Sequence, residues 1–176
     1  NRLLYTDPTL RAAPQVLAAN RSGASALWPY AISGDLPIAM VRIERDEERD
    51  LVRQMLRARE YWHLKGITAD LVILNASGAS YAQDFQESLE VMVRASQAAG
   101  EVLLKGRGAV FLLRADLVPA RDQLLLNATS RVVLHANRGT LAEQLVRLEG
   151  PQPGPVPSRL RTPREKAEAV SAPALA

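Results

Sequence analysis

The side chains best suited to chemistry fall into two groups. Trp28, Tyr30, Ser33 and Asp35 are crowded into the stretch Leu27-Trp28-Pro29-Tyr30-Ala31-Ile32-Ser33-Gly34-Asp35-Leu36-Pro37. Aromatic faces beside a hydroxyl and a carboxylate suit a sugar ring, and the same aromatics suit a contact with another protein surface. Docking or core packing is the preferred reading for Trp28 and Tyr30, because only Ser33 and Asp35 are near in sequence to hold a sugar's hydroxyls. The second group ends apolar runs: Arg42 and Glu44, Asn75, Arg114 and Asp116, His135 and Asn137. If those runs are parallel strands, their polar ends form a rim where open α/β sheets bind ligands. Strands must also end somewhere, and polar residues cap the helices that follow. This plainer reading is preferred, since a fold does not imply a function.

Other chemistry is poorly supplied. The chain has no Cys and only two His, His63 and His135. Disulfides and thiolate metal sites are excluded, and a zinc site is not expected. Ser33-Gly34 is half of a nucleophile elbow, but an elbow follows a strand and Ser33 precedes one. Gly106-Arg107-Gly108 also comes before a strand, whereas a phosphate loop lies between a strand and a helix. No catalytic residue, cofactor or metal is therefore assigned.

The elements that must position these groups alternate. Residues 38–43, 70–75, 109–114 and 131–135 read as short apolar strands, with Pro37 at the entrance to the first, where no ladder N–H is yet needed. Pro29 is expected to hold Trp28 extended, and Gly34 to supply the positive φ of a tight turn. A helix follows each strand. The first carries Leu51, Met55, Ala58 and Trp62 on one stripe, with His63 on the solvated side and Gly66 past its end. Ser80 and Gln83 form a capping pattern for a helix over 81–99 that Gly100 can end; Thr140 and Glu143 do the same for one over 141–149. Pro119 opens a helix reaching Asn127. Continuous apolar strands alternating with helices predict a small α/β three-layer sandwich with a four-stranded parallel sheet. The expected strand order is 2-1-3-4. Residues 1–26 hold an N-terminal helix over 7–20, which Pro14 kinks or splits, and a loop. Residues 27–149 are the α/β domain, and residues 150–176, with Pro151, Pro153, Pro155, Pro157, Pro163 and Pro173, read as a Pro-rich interdomain linker, extended or disordered.

The formal charge is +3, of which the last 26 residues contribute +2. A near-neutral folded part does not suggest a nucleic-acid partner, which needs a clustered basic face. No apolar run is long enough to insert into a membrane. The chain opens at Asn1 without a signal-peptide pattern and reads as a piece of a longer polypeptide.

The string Leu27-Trp28-Pro29-Tyr30-Ala31-Ile32-Ser33-Gly34-Asp35-Leu36-Pro37-Ile38 resembles the bacterial cyclic β-1,2-glucan synthases. Leu51-Val52-Arg53-Gln54, Tyr61-Trp62, Lys65-Gly66, Asp70-Leu71-Val72-Ile73-Leu74-Asn75, Phe111-Leu112-Leu113-Arg114-Ala115-Asp116 and Gly139-Thr140-Leu141-Ala142-Glu143-Gln144-Leu145 continue it in order, over roughly residues 1–148. The resemblance implies a very large parent on the cytoplasmic side of the bacterial inner membrane, making cyclic glucan from UDP-glucose. It implies a C-terminal region similar to the cellobiose and chitobiose phosphorylases, with this stretch as its connecting segment. On that basis the chain is expected to be a non-catalytic structural segment whose partners are neighbouring domains of the same polypeptide. A carbohydrate-binding module contacting β-glucan is the alternative. A small stand-alone α/β enzyme using the strand ends is the third.

Overall fold

The computed structural model describes Leu3 and residues 10–78, 82–101 and 108–146. The Pro-rich tail, Ser80 and residues 7–9 of the expected first helix lie outside them. Strands β1 (Ile38–Ile43), β2 (Asp70–Asn75), β3 (Val110–Arg114) and β4 (Val132–His135) form one sheet. Every pairing is parallel, as expected from the alternation of apolar strands and helices. Helices α1 (Pro14–Ala19), α2 (Arg49–Leu64), α3 (Ala82–Glu101), α4 (Ala120–Thr129) and α5 (Leu141–Val146) surround it.

The strand order is β3-β2-β1-β4, which corrects the expected 2-1-3-4. The reason lies in which face each helix covers. Right-handed crossovers that step the same way along a sheet lay their helices on the same face. Leu51, Met55 and Trp62 of α2 and Phe85, Leu89 and Val93 of α3 share one core with Ala39, Val41, Leu71 and Ile73. Both crossovers therefore step outward, to β2 and then to β3. The order 2-1-3 would have put α2 and α3 on opposite faces. Helix α4 then carries the chain back to the free side of β1. It lies on the other face, where Leu125 and Leu126 meet Ile38, Met40 and Val72.

Leu27 and Ile32 are also fully buried on that second face. Burying both winds Ala24–Tyr30 into a 3-10 helix with Pro29 inside it, in place of the extended entry expected at Trp28. The first helix is shorter than expected. Pro14 starts α1 rather than kinking a longer helix, and residues 10–13 are not α-helical. Leu10 joins the α2 side of the core while α1 packs on α4, so residues 10–19 pass around the β4 edge. Gly100 lies within α3 and does not end it.

One backbone approach limits the sequence sharply. Gly108 has φ +103°, and a Cβ there would sit 2.7 Å from the Ala69 carbonyl oxygen. Next to it, Asp70 Oδ1 accepts the Ala109 N–H at 2.9 Å, and Arg59 Nη2 donates to the Gly108 carbonyl at 2.8 Å. Gly108→Ala combines a disfavoured φ with a backbone clash. It is expected to destabilise the fold by about 2–3 kcal/mol in chemical denaturation.

Candidate functional site

The carboxyl ends of the strands are where an open α/β sheet would hold a ligand. Side chains alternate between faces along a strand, so the expected rim divides in two. Arg42 and His135 are neighbours in register on the α4 face. Asn75 and Arg114 are neighbours in register on the α2–α3 face.

Arg42, Asn75 and Arg114 are engaged locally through their side chains, and His135 through its backbone. Arg114 grips Asp116 through Nε at 3.1 Å and Nη2 at 2.6 Å. Asp116 is held below the usual carboxylate range by its hydrogen bond to Arg114. Arg42 Nε donates to Glu44 Oε1 at 3.1 Å, an Arg-x-acid clasp of the same kind. Asn75 is buried; its Nδ2 donates to Gln86 Oε1 at 2.9 Å and its Oδ1 accepts the Ser77 N–H at 3.0 Å. His135 is half-buried. Its backbone is fastened by Gln144, which accepts its N–H at 3.4 Å and donates to its carbonyl at 2.9 Å. Asn137 lies in the 3-10 turn Ala136–Arg138 that follows.

The positions a phosphate or a ring would take are filled by the protein itself. At the turn from β1 to α2, Glu48 folds back so that Oε2 accepts the N–H groups of Glu44 at 3.1 Å and Arg45 at 3.3 Å. A nucleotide phosphate in a dinucleotide fold takes up such backbone N–H groups, so an internal carboxylate stands in its place. The strand order reverses between β1 and β4, the usual crevice. Here α5 packs back against α2, Gln54 Oε1 accepts the Leu141 N–H at 2.9 Å, and Ala136 and Gln144 are buried in the gap.

The other expected group separates as well. Trp28 is 65% exposed. Tyr30 is half-buried, and its hydroxyl donates to Asp122 Oδ2 at 2.8 Å. Burial, then this hydrogen bond, raises the Tyr30 pKa. Asp122 Oδ1 accepts no hydrogen bond and sits 3.3 Å from Arg121 Nε, too poorly aligned to count as one. Ser33 Oγ accepts the Asp35 N–H at 3.2 Å in an exposed turn where Gly34 has φ +80°. Sequence reasoning missed Asp122 and the contacts of Gln144; Tyr30 and Asp122 are separated by 92 positions, and no local pattern joins them.

Trp62 is core, as its stripe predicts. His63 is half-buried rather than solvated, because it lies against Arg59 and Gly108; burial lowers its pKa first, and Arg59 adds to the effect. Among the described residues, no cluster of His, Cys, Asp and Glu could hold a metal, and no helix is long and apolar enough to cross a membrane.

The remaining observation is similarity. The chain resembles a segment of a glucan synthase. It is 42% identical over 146 residues to the cyclic β-(1,2)-glucan synthase NdvB of Rhizobium meliloti (strain 1021). The match covers 82% of this chain and 5% of that protein. No family model matches the chain.

Tyr30→Phe leaves a buried carboxylate short of a donor and is expected to cost about 1–3 kcal/mol in denaturant titration, whereas Trp28→Ala stays within about 0.5 kcal/mol in the same assay. A pH titration of stability follows from the two histidines. Burial is the leading cause that lowers both from the ordinary imidazole value of about 6.5. Well above pH 6.5 they are neutral both folded and unfolded and contribute nothing to the pH slope. As pH falls below it, the unfolded chain takes up protons first, so stability falls. His63→Gln and His135→Gln each flatten that slope between pH 7 and 5.

Proposed function

We propose that this chain is a non-catalytic structural segment of a cyclic β-1,2-glucan synthase, set between neighbouring domains of one long polypeptide. The similarity to a segment of NdvB carries the reading. The geometry supports the non-catalytic part of it. Arg42, Asn75 and Arg114 make hydrogen bonds within their own neighbourhood. The two positions where an α/β sheet usually admits a ligand are taken by Glu48 and by α5 with Gln144. Trp28, exposed on a turn whose interior residues Leu27 and Ile32 are buried, is a rigid apolar handle for a neighbouring domain. The reading places the segment in the phosphorylase-like C-terminal region of a membrane-associated parent.

The test uses the full-length synthase carrying this segment. Asn75→Ala, Arg114→Ala and His135→Ala are expected to leave glucan formation within about twofold of wild type per mole of folded enzyme. A loss of about a hundredfold or more from one of them, with the amount and thermal stability of the protein unchanged, would overturn the proposal and restore an active site at the strand ends.

A further inference from the structure

A groove of about 640 Å³ lies between α1, α4 and the outer end of β4. It is separate from the filled crevice, which α5 closes on the α2 side of the sheet. Its basic lining is Arg11, Arg138 and the imidazole of His135, and none of the described residues lining it is acidic. Arg138 has a partner of its own and adds its charge to the wall. Arg42 stands beside His135 in register, with Glu44, the nearest carboxylate acting on that histidine, clasped to Arg42 at 3.1 Å.

The polar amides of the wall are already spent. Gln123 Nε2 donates to the carbonyls of Ala115 at 2.8 Å and Val118 at 2.9 Å, and Asn127 Nδ2 donates to the Gln123 carbonyl at 2.8 Å. The exception is Arg11, whose Nε is buried and has no hydrogen-bond partner. Buried polar groups are almost always satisfied, so the orphaned Nε–H leaves the Arg11 guanidinium on the groove wall short of an acceptor that the described residues do not supply. A guanidinium fork matches the paired oxygens of phosphate and carboxylate. His135 adds a second donor at a fixed place, since Gln144 pins its backbone on both sides. Burial, then Arg138 and Arg42, lower its pKa and so favour the neutral imidazole, which offers a single N–H.

We propose that this groove binds an oxyanion, the phosphate or carboxylate group of a small molecule, with Arg11 and His135 as its donors. The site does not depend on the structural role proposed above, because binding is read on this chain without any synthase activity.

Inorganic phosphate and, separately, acetate are titrated into the 176-residue chain at pH 7 and constant ionic strength, with chloride as the control. The ring resonances of His135 are followed by NMR. A saturable shift with phosphate or acetate, absent with chloride, is expected, and the more effective anion identifies the class. Arg11→Gln is expected to weaken binding about tenfold, the loss of one charge-assisted hydrogen bond. Arg21→Gln, in the exposed loop before Trp28, is expected to leave it unchanged. A His135 response no larger than that to chloride would overturn the proposal, and so would wild-type affinity in a folded Arg11→Gln. Should Arg11→Gln fail to fold, the wild-type titration decides alone.

Discussion

Both faces of β1 are buried, and the rest of the architecture is a way of covering them. Ala39, Met40, Val41 and Ile43 have no solvent exposure, and Ile38 has 2%. A central parallel strand of this kind needs apolar cover above and below, and here it pairs with β2 on one side and β4 on the other. Helices α2 and α3 cover one face. Helix α4 covers the other, and reaching that face is what turns the chain back across the sheet to β4. The 3-10 helix Ala24–Tyr30 completes the second layer beside α4, with Leu27 and Ile32 inserted beneath it. Tyr30 and Asp122 then tie those two pieces together at their shared boundary.

The polar ends of the strands follow a consistent economy. An arginine at the end of β1 and another at the end of β3 each take an acidic partner two residues on. Glu48 and Thr140–Glu143 close the helix starts with side chains from the same short stretch. The two arginine clasps keep charge at the surface, and exposed pairs of this kind contribute little to stability. The groove beside α1 differs because its guanidinium has no such companion at Nε.

Much of this was legible from residues close together in the chain. The strand runs, the α2 stripe and the Thr140–Glu143 capping box are short-range patterns, and all three are present in the structure. The strings around Trp28 and Gly139 pointed to the glucan synthases, and the NdvB match agrees. Strand order was not legible, because it depends on which face α2 and α3 share, and both helices have an apolar stripe either way. The 3-10 wind at Trp28 was hidden for a related reason. A local preference at X-Pro predicts extension, but the burial of Leu27 and Ile32 against residues far along the chain outweighs it. Asp122 gave no signal at all, since a carboxylate in the first turn of a helix usually serves the helix alone.

The two edges of the sheet are unequal. Residues 10–19 wrap past β4, with Leu10 on one side of the sheet and α1 on the other, so a further strand meets an obstacle there. The β3 edge has no such wrap among the described residues, and Phe111, Leu112, Leu113 and Arg114 are only half-buried. Backbone groups along that edge form a template for added strands. Among the described residues the two edges therefore differ: residues 10–19 flank β4, and none of these residues wraps β3 in the same way. A wrapped edge resists ladder growth whatever its sequence, whereas an unwrapped one relies on its own side chains to do so, and on β3 the strand ends in the charged Arg114.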